Sequence, residues 1–475
     1  MSGHSLGKMT VQLLGAKGVT FSLSLLSSIV VARALGLEGL GAYSYALGLS
    51  ALFALVPNMG ISTVVTRAIA RDHEASHPTV RAAFRAQMLL ALAAVLLVVG
   101  FAALLPAHPV PFAYIAVAAL QLGIGSLSWP YLAIIGGHSR FDRLARSEIA
   151  SAMVALPLLL AAMLLSGSVE SFLLAQLFAS LLALCIARHY AAPFLPPHGP
   201  HRPLLPLFRE AAGFGGSTVV MSLYGRIDIL LLGQMAAVAA VGMFNAAGKP
   251  VTMALYVGLT VAGVLFPLMA RTPHGEVPQA FARAVRAVGV LGPAMALAVA
   301  GMSHWILALL FGIEYAAADS TLAILIWTAA ANWLYSPLSQ ALQAQGMERW
   351  WLLVLTLALL INLAGNLWAI PRWWADGAAV VRLTSDLFLL AAAALLVRQK
   401  LAIALPWAKI GKVLLAIALG IAMLRLAPVT GSLMATLGAL AAYFAALLLL
   451  RVIHLTDIDR LAEWMAAAIP RLRRS

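Results

Sequence analysis

Cysteine is almost missing: Cys185 is the only one in 475 residues. No disulfide can close within the chain, and no thiolate cluster can hold a metal in one copy. Charge is scarce as well. Asp, Glu, Lys and Arg make up 10% of residues against 63% hydrophobic, and a soluble chain of this length needs a far more polar surface. Acidic residues are the scarcer sign, 17 against 31 basic. The sequence has no G-x-x-x-x-G-K-[ST], which excludes nucleotide hydrolysis through a P-loop. It lacks the polar–apolar alternation of an outer-membrane barrel. It also lacks a cleavable signal, because the first apolar run is long and leads directly into another.

What is present is a series of apolar runs about 20 residues long, the length that spans a bilayer as helix. The reading is an all-α polytopic membrane protein with fourteen spans. Their approximate limits are 9–32, 41–65, 84–105, 111–136, 147–166, 169–188, 211–234, 241–269, 284–303, 320–345, 350–370, 377–397, 409–427 and 432–453. The basic residues test that count. With the N-terminus inside and sides alternating, 24 of the 31 fall inside and only Arg33 and Arg372 outside. Lys17, Arg226, Lys249, Arg382 and Arg425 lie within or at the edge of spans. This is the positive-inside pattern, and it places both termini in the cytoplasm. It also explains the net charge of +14 without nucleic acid. Trp350 and Trp351 fall at an inner boundary, and Trp305, Trp373 and Trp374 at an outer one.

Two halves resemble each other. Gly41-Ala-Tyr43-Ser-Tyr-Ala46 opens span two, and Gly242-Met-Phe244-Asn-Ala-Ala247 opens span eight. Gly137-His-Ser-Arg140 closes span four, and Gly346-Met-Glu-Arg349 closes span ten. Spans one to six and seven to twelve therefore read as parallel repeats, an architecture that transporters use. The expected lobes are 1–190 and 209–400. A stiff cytoplasmic linker, 191–208, joins them with Pro193, Pro196, Pro197, Pro200, Pro203 and Pro206. Spans thirteen and fourteen, 401–454, are additional. The tail, 455–475, reads as a basic amphipathic helix on the membrane surface. The longest outer loop, 304–319, is too short for an extramembrane active site.

Function must then sit among the helices. A charge at membrane depth costs roughly 2.5–3.5 kcal/mol on insertion scales, so it normally faces a protein interior or a water-filled cavity. Arg226 and Asp228 lie in span seven, and Lys249, followed by Pro250, in span eight. At 1.5 Å per residue, Arg226 is roughly 20 Å from the inner surface and Lys249 roughly 12 Å from the outer one. Those depths nearly coincide, so the three residues are expected to form one site for an anionic group. An ion pair of Asp228 with one of the cations is the structural alternative. Lys17, in span one, either lines a cavity or snorkels to the inner surface. Arg33 ends span one on the outside. Arg382 and Asp386 are placed to pair within span twelve. The H-e-x-x-H sequence His73-Glu-Ala-Ser-His77 matches a zinc-protease pattern. Pro78 follows at once in a polar loop with no third ligand, so the match is read as chance. No metal or cofactor is expected, and no enzymatic activity.

The joint Val31-Ala-Arg33-Ala-Leu-Gly36-Leu-Glu-Gly39-Leu-Gly41-Ala-Tyr43 resembles the "ARxLGxxxxGxY" pattern of the polysaccharide-transport branch of the MOP superfamily. Asn58-Met-Gly60 to Arg71 resembles its continuation, with Asn58 where Asp is common. Asp228-Ile-Leu-Leu-Leu-Gly233 with Gly242-Met-Phe244 resembles the second-half counterpart, with Phe for Tyr. That branch holds the Wzx-type flippases of lipid-linked oligosaccharide and O-antigen. The resemblance implies two six-helix lobes around a cationic central cavity. It also implies that an undecaprenyl-diphosphate-linked glycan is carried from the inner to the outer leaflet of the cytoplasmic membrane. The diphosphate would meet Arg33, Arg226 and Lys249 through charge-assisted hydrogen bonds. A coupling ion, H⁺ or Na⁺, and glycan polymerase or glycosyltransferase partners follow from the same resemblance. The competing reading is a MATE-type drug antiporter, which would want acidic residues at depth in spans one to six. Only Glu148, at an inner edge, and Glu170, in an outer loop, are near.

Overall fold

The computed structural model describes the backbone except at residues 1–2, 58, 106–107, 198, 201, 272–276, 402–406, 427–431 and 453–475. Side chains are also left aside at 3–16, 212–218, 257–271, 277–287, 344, 401 and 407–409. The expected tail helix lies outside the described residues. Everything regular within them is helical. Among the described residues, six helices are long and apolar enough to cross a membrane, or seven if one pair bent by 67° counts as a single span. The chain is a multi-pass membrane protein.

Contacts divide the chain into two compact units. The first is Met1–Ala246 with Leu355–Val381; the second is Ala247–Val354 with Arg382–Ser475. The proline-rich linker lies inside the first unit, away from either division.

In the first unit, α1 (Gly3–Leu52) runs on through the expected joint between spans one and two. Its direction breaks at Gly36, whose φ of 65° favours a residue without Cβ. The second span is itself interrupted. After α1 and a short 3₁₀ turn the chain restarts at Gly60, also left-handed, into α2 (Ile61–Arg71). Next come α3 (His77–Leu104), α4 (Phe112–Ser126), α5 (Trp129–Gly137), α6 (Phe141–Leu165) and α7 (Val169–Ala191). α1 packs along α6, and α4 packs against both α3 and α7. Beyond the linker, α8 (Leu204–Tyr224) joins α2 and α3. Their shared core pairs Ile61, Val65 and Ile69 with Ala82, Ala83, Ala86 and Ala211. The alanines let backbones approach, which is what drives helix association where lipid is as apolar as the side chains.

After α8 come α9 (Ile227–Met235) and α10 (Val238–Arg271), which opens in the first unit and continues in the second. The two glycines expected to be repeat-equivalents touch across this crossing. A Cβ on Gly41 would lie 2.0 Å from the Val238 carbonyl oxygen, and one on Gly242 would lie 2.2 Å from that of Leu37. The expected spans eleven and twelve form one long helix, α14 (Glu348–Leu401), broken at Trp374 with φ of 49°. Gly377 lies against Ala369 and Gly365 against Val381, so the chain folds back on itself there. Arg372 stacks on Trp368 at 4.7 Å near that turn.

The second unit packs α11 (Val277–Gly301) against α13 (Asp319–Ala344), α15 (Trp407–Leu426) and α16 (Leu433–Leu449). Tyr443 is buried there and donates to the Val290 carbonyl at 2.9 Å. Spans thirteen and fourteen are thus part of a core rather than an appendage. The expected outer loop 304–319 is mostly α12 (Ser303–Phe311) and a 3₁₀ turn.

Candidate functional site

Span seven is not continuous. α8 stops at Tyr224 and α9 starts at Ile227, with Gly225 and Arg226 between. Arg226 takes φ −134°, ψ −12° as the residue before α9, and its N–H bonds back to Leu223 at 3.1 Å. A break inside a span is tolerated where the freed backbone lines a protein or water-filled interior. Its side chain is exposed and has no carboxylate partner among the described residues.

Asp228 takes the opposite course. It is 2% exposed and sits in the first turn of α9, where the helix dipole favours a negative charge. Two residues along a helix are on different faces, so Asp228 turns inward as Arg226 turns out. Asp228 Oδ1 accepts from Asn366 Nδ2 at 2.8 Å, and the same amide donates to Asn362 Oδ1 at 3.0 Å. Both asparagines are fully buried, one turn apart on α14. Asn362 Nδ2 and Asn366 Oδ1 are buried with no hydrogen-bond partner among the described residues, a condition that calls for explanation in a native interior. The asparagines were missed in the sequence. Their signal was two amides four apart in an apolar run, which marks one polar face on a spanning helix.

Lys249 belongs to the second unit, on α10, and is half-buried. The expected cluster is therefore drawn from two units, and the first contributes Arg226 and Asp228. Arg33 is exposed on α1, three residues before the Gly36 break.

Lys17 departs from the expected cavity or snorkelling role in one respect. Its Nζ lies 2.8 and 2.7 Å from the two Glu148 oxygens on α6. The acid read as an inner-edge residue is the partner of the deep lysine. In the second unit Arg382 and Asp386 pair at 3.7 Å as expected. Tyr335 is also buried there, accepting from Asn332 at 2.7 Å.

The zinc-protease pattern does not form a helix. Residues 73–76 are a turn, and α3 begins at His77. The His73 ring stacks on His138 at 4.6 Å, and His138 packs on Phe194 of the linker at 4.7 Å.

Similarity to solved structures follows the fold. A lipid II flippase, MurJ, in an inward closed conformation superposes with a TM-score of 0.76 at 13% identity, over 94% of this chain and 100% of that one. An inward-facing multidrug resistance MATE family transporter of the MOP superfamily gives 0.62 at 15% identity, over 83% and 98%. A MOP superfamily transporter from Pyrococcus furiosus, described as having a binding pocket of reverse polarity, gives 0.56 at 14%, over 82% and 93%. No curated protein matches the chain. A family model described as polysaccharide biosynthesis protein matches residues 6–273. That stretch carries the Gly36 joint, the Gly41–Gly242 crossing and the Arg226 break, and with it the chain belongs to the polysaccharide biosynthesis protein family, on a MOP-type transporter fold.

Proposed function

We propose that the chain is a flippase, not an enzyme, that moves an undecaprenyl-diphosphate-linked oligosaccharide from the inner to the outer leaflet of the cytoplasmic membrane. Both termini are cytoplasmic, and transport proceeds by alternating access. Family membership and the likeness of fold to a lipid II flippase support the class. The observation that carries the site is Arg226: an exposed guanidinium at a break inside a span, with no carboxylate partner among the described residues. A guanidinium matches a phosphate with two parallel hydrogen bonds. Lys249 in the second unit and Arg33 in the first are the other cations that this reading takes as substrate contacts, each within its own unit. The buried Asp228–Asn366–Asn362 chain is the candidate for ion coupling, since a carboxylate there can take a proton or face a cation. The antiporter reading draws on the likeness to MATE transporters. It is weaker because the carboxylate nearest depth in the first six spans, Glu148, is bound to Lys17.

The test is export of surface polysaccharide in a strain whose only copy is Arg226→Ala or Lys249→Ala. Each variant should lower surface glycan at least about tenfold, the worth of one lost charge-assisted hydrogen bond, at unchanged membrane abundance. Normal export in both would overturn the site.

A further inference from the structure

A second gathering of arginine lies apart from Arg226, on the side that the loop charges mark as cytoplasmic. Arg81, Phe84 and Arg85 of α3, Arg188 of α7, Tyr131 of α5 and Pro197 of the linker line a recess of about 510 Å³. None of the described residues lining it is acidic. Arg81 is held in place by neutral groups: Nε donates to the Pro200 carbonyl at 2.7 Å, and Nη1 to that of Pro197 at 2.6 Å. Those bonds fix the guanidinium without cancelling its charge. Nearby, Glu210 is occupied by Arg202 at 2.9 Å. Tyr131 and Phe84 close the floor, ring to ring at 4.7 Å.

The faces that lead into the recess are apolar. On α3, Met88, Leu89, Leu92 and Leu96 follow Arg85 at helical spacing and are 54–65% exposed. On α7, Leu181, Phe178 and Leu174 precede Arg188 on one face and are exposed as well. α4 packs between these helices, touching both. Exposed leucine alone is what any lipid-facing helix shows. Two such faces, each ending at an arginine of one recess rich in basic side chains, match an amphiphile with an anionic head and apolar tails.

We propose that this recess binds the phosphate of an anionic phospholipid from the leaflet on its own side, with the acyl chains along α3 and α7. Arg85 and Arg188 grip the phosphate, while Arg81 and the linker carbonyls form the back wall. The bound lipid ties the proline-rich linker to α3 and α7. Basic pockets between spanning helices on this side of a membrane suit such headgroups. The inference is independent of what the chain transports.

The test is native mass spectrometry of the full-length protein in a neutral detergent, titrated with dioleoyl-phosphatidylglycerol, dioleoyl-phosphatidylcholine or sodium pyrophosphate. The protein should retain phosphatidylglycerol over phosphatidylcholine. The pair Arg85→Gln with Arg188→Gln changes two exposed side chains and should lower phosphatidylglycerol affinity about tenfold or more. Arg209→Gln, an exposed arginine outside the recess, should leave it unchanged. Gly199→Leu gives a second route that removes no charge. A Cβ there would lie 3.3 Å from Arg81 Nη2, so the larger side chain crowds the recess and should cause a similar loss. Undiminished phosphatidylglycerol binding in both variants would overturn the proposal. So would displacement of the lipid by an equal concentration of pyrophosphate, which would assign the recess to a soluble phosphate.

Discussion

Lys17 and Arg226 are both cations within apolar helices of the first unit, and their surroundings differ. Lys17 meets both oxygens of Glu148 across the long contact of α1 with α6. Arg226 stands where one helix stops and the next begins, and the nearest acid in sequence, Asp228, has turned inward to Asn366. In the sequence both are cations inside apolar runs. The neighbour makes the difference: a lysine held by a carboxylate offers an anion little net charge, whereas a guanidinium with no carboxylate partner among the described residues offers all of its own. A substrate phosphate is therefore expected to distinguish them.

The largest effect expected from a single change falls on the frame that both regions share. Gly242→Val would push a side chain into the Leu37 carbonyl, 2.2 Å from its Cβ, and a backbone oxygen in a packed helix cannot step aside. Folded protein recovered from the membrane should fall about tenfold or more, the size of effect that overpacking by 1–3 kcal/mol produces. Gly248→Val, on the same helix with open space beside it, should fold normally. Equal yields for the two would mean that α1 and α10 are not held together at this crossing.

An intermediate effect is expected at the inward-turned acid. Asp228→Asn keeps an oxygen for the Asn366 amide and removes the charge. Membrane abundance should hold, while export falls several-fold and loses its dependence on an imposed pH gradient. Transport that keeps its full dependence would remove Asp228 from coupling and leave the buried amide chain a structural role.

Much of the fold was legible because membranes constrain sequences strongly. Backbone groups in lipid must be satisfied within helices, so run length and loop charge locate the spans. The motif glycines were legible as positions, and the structure gives their reasons: Gly36 turns the chain, while Gly41 and Gly242 admit another backbone. The break at Gly225–Arg226 was not legible. No proline marks it, and a glycine next to an arginine in an apolar run reads as continuous helix. Nor was the inward turn of Asp228, because its partners lie about 135 residues away on α14 and a hydrogen bond of that range has no local signal. Glu148 was seen and left without a partner for the same reason: Lys17 is 131 residues distant.

The smallest effect expected is at that pair, and it separates the two regions most directly. Lys17 is 54% exposed and Glu148 28%, so the pair contributes little, on the order of 0.2–1 kcal/mol if solvated. Lys17→Gln alone leaves Glu148 without its cation, and Glu148→Gln alone leaves the lysine without its anion. Each single variant should lower export by no more than about threefold, and the double variant should return to within about twofold of normal, because the charge each partner leaves behind is removed. Arg226 has no such rescue: adding Asp228→Asn to Arg226→Gln should leave export as low as Arg226→Gln alone. Surface glycan measured at matched membrane abundance checks both cycles. If Lys17→Gln abolished export and Glu148→Gln did not restore it, Lys17 would be acting on the substrate, and the neighbouring carboxylate would not be what separates the two cations.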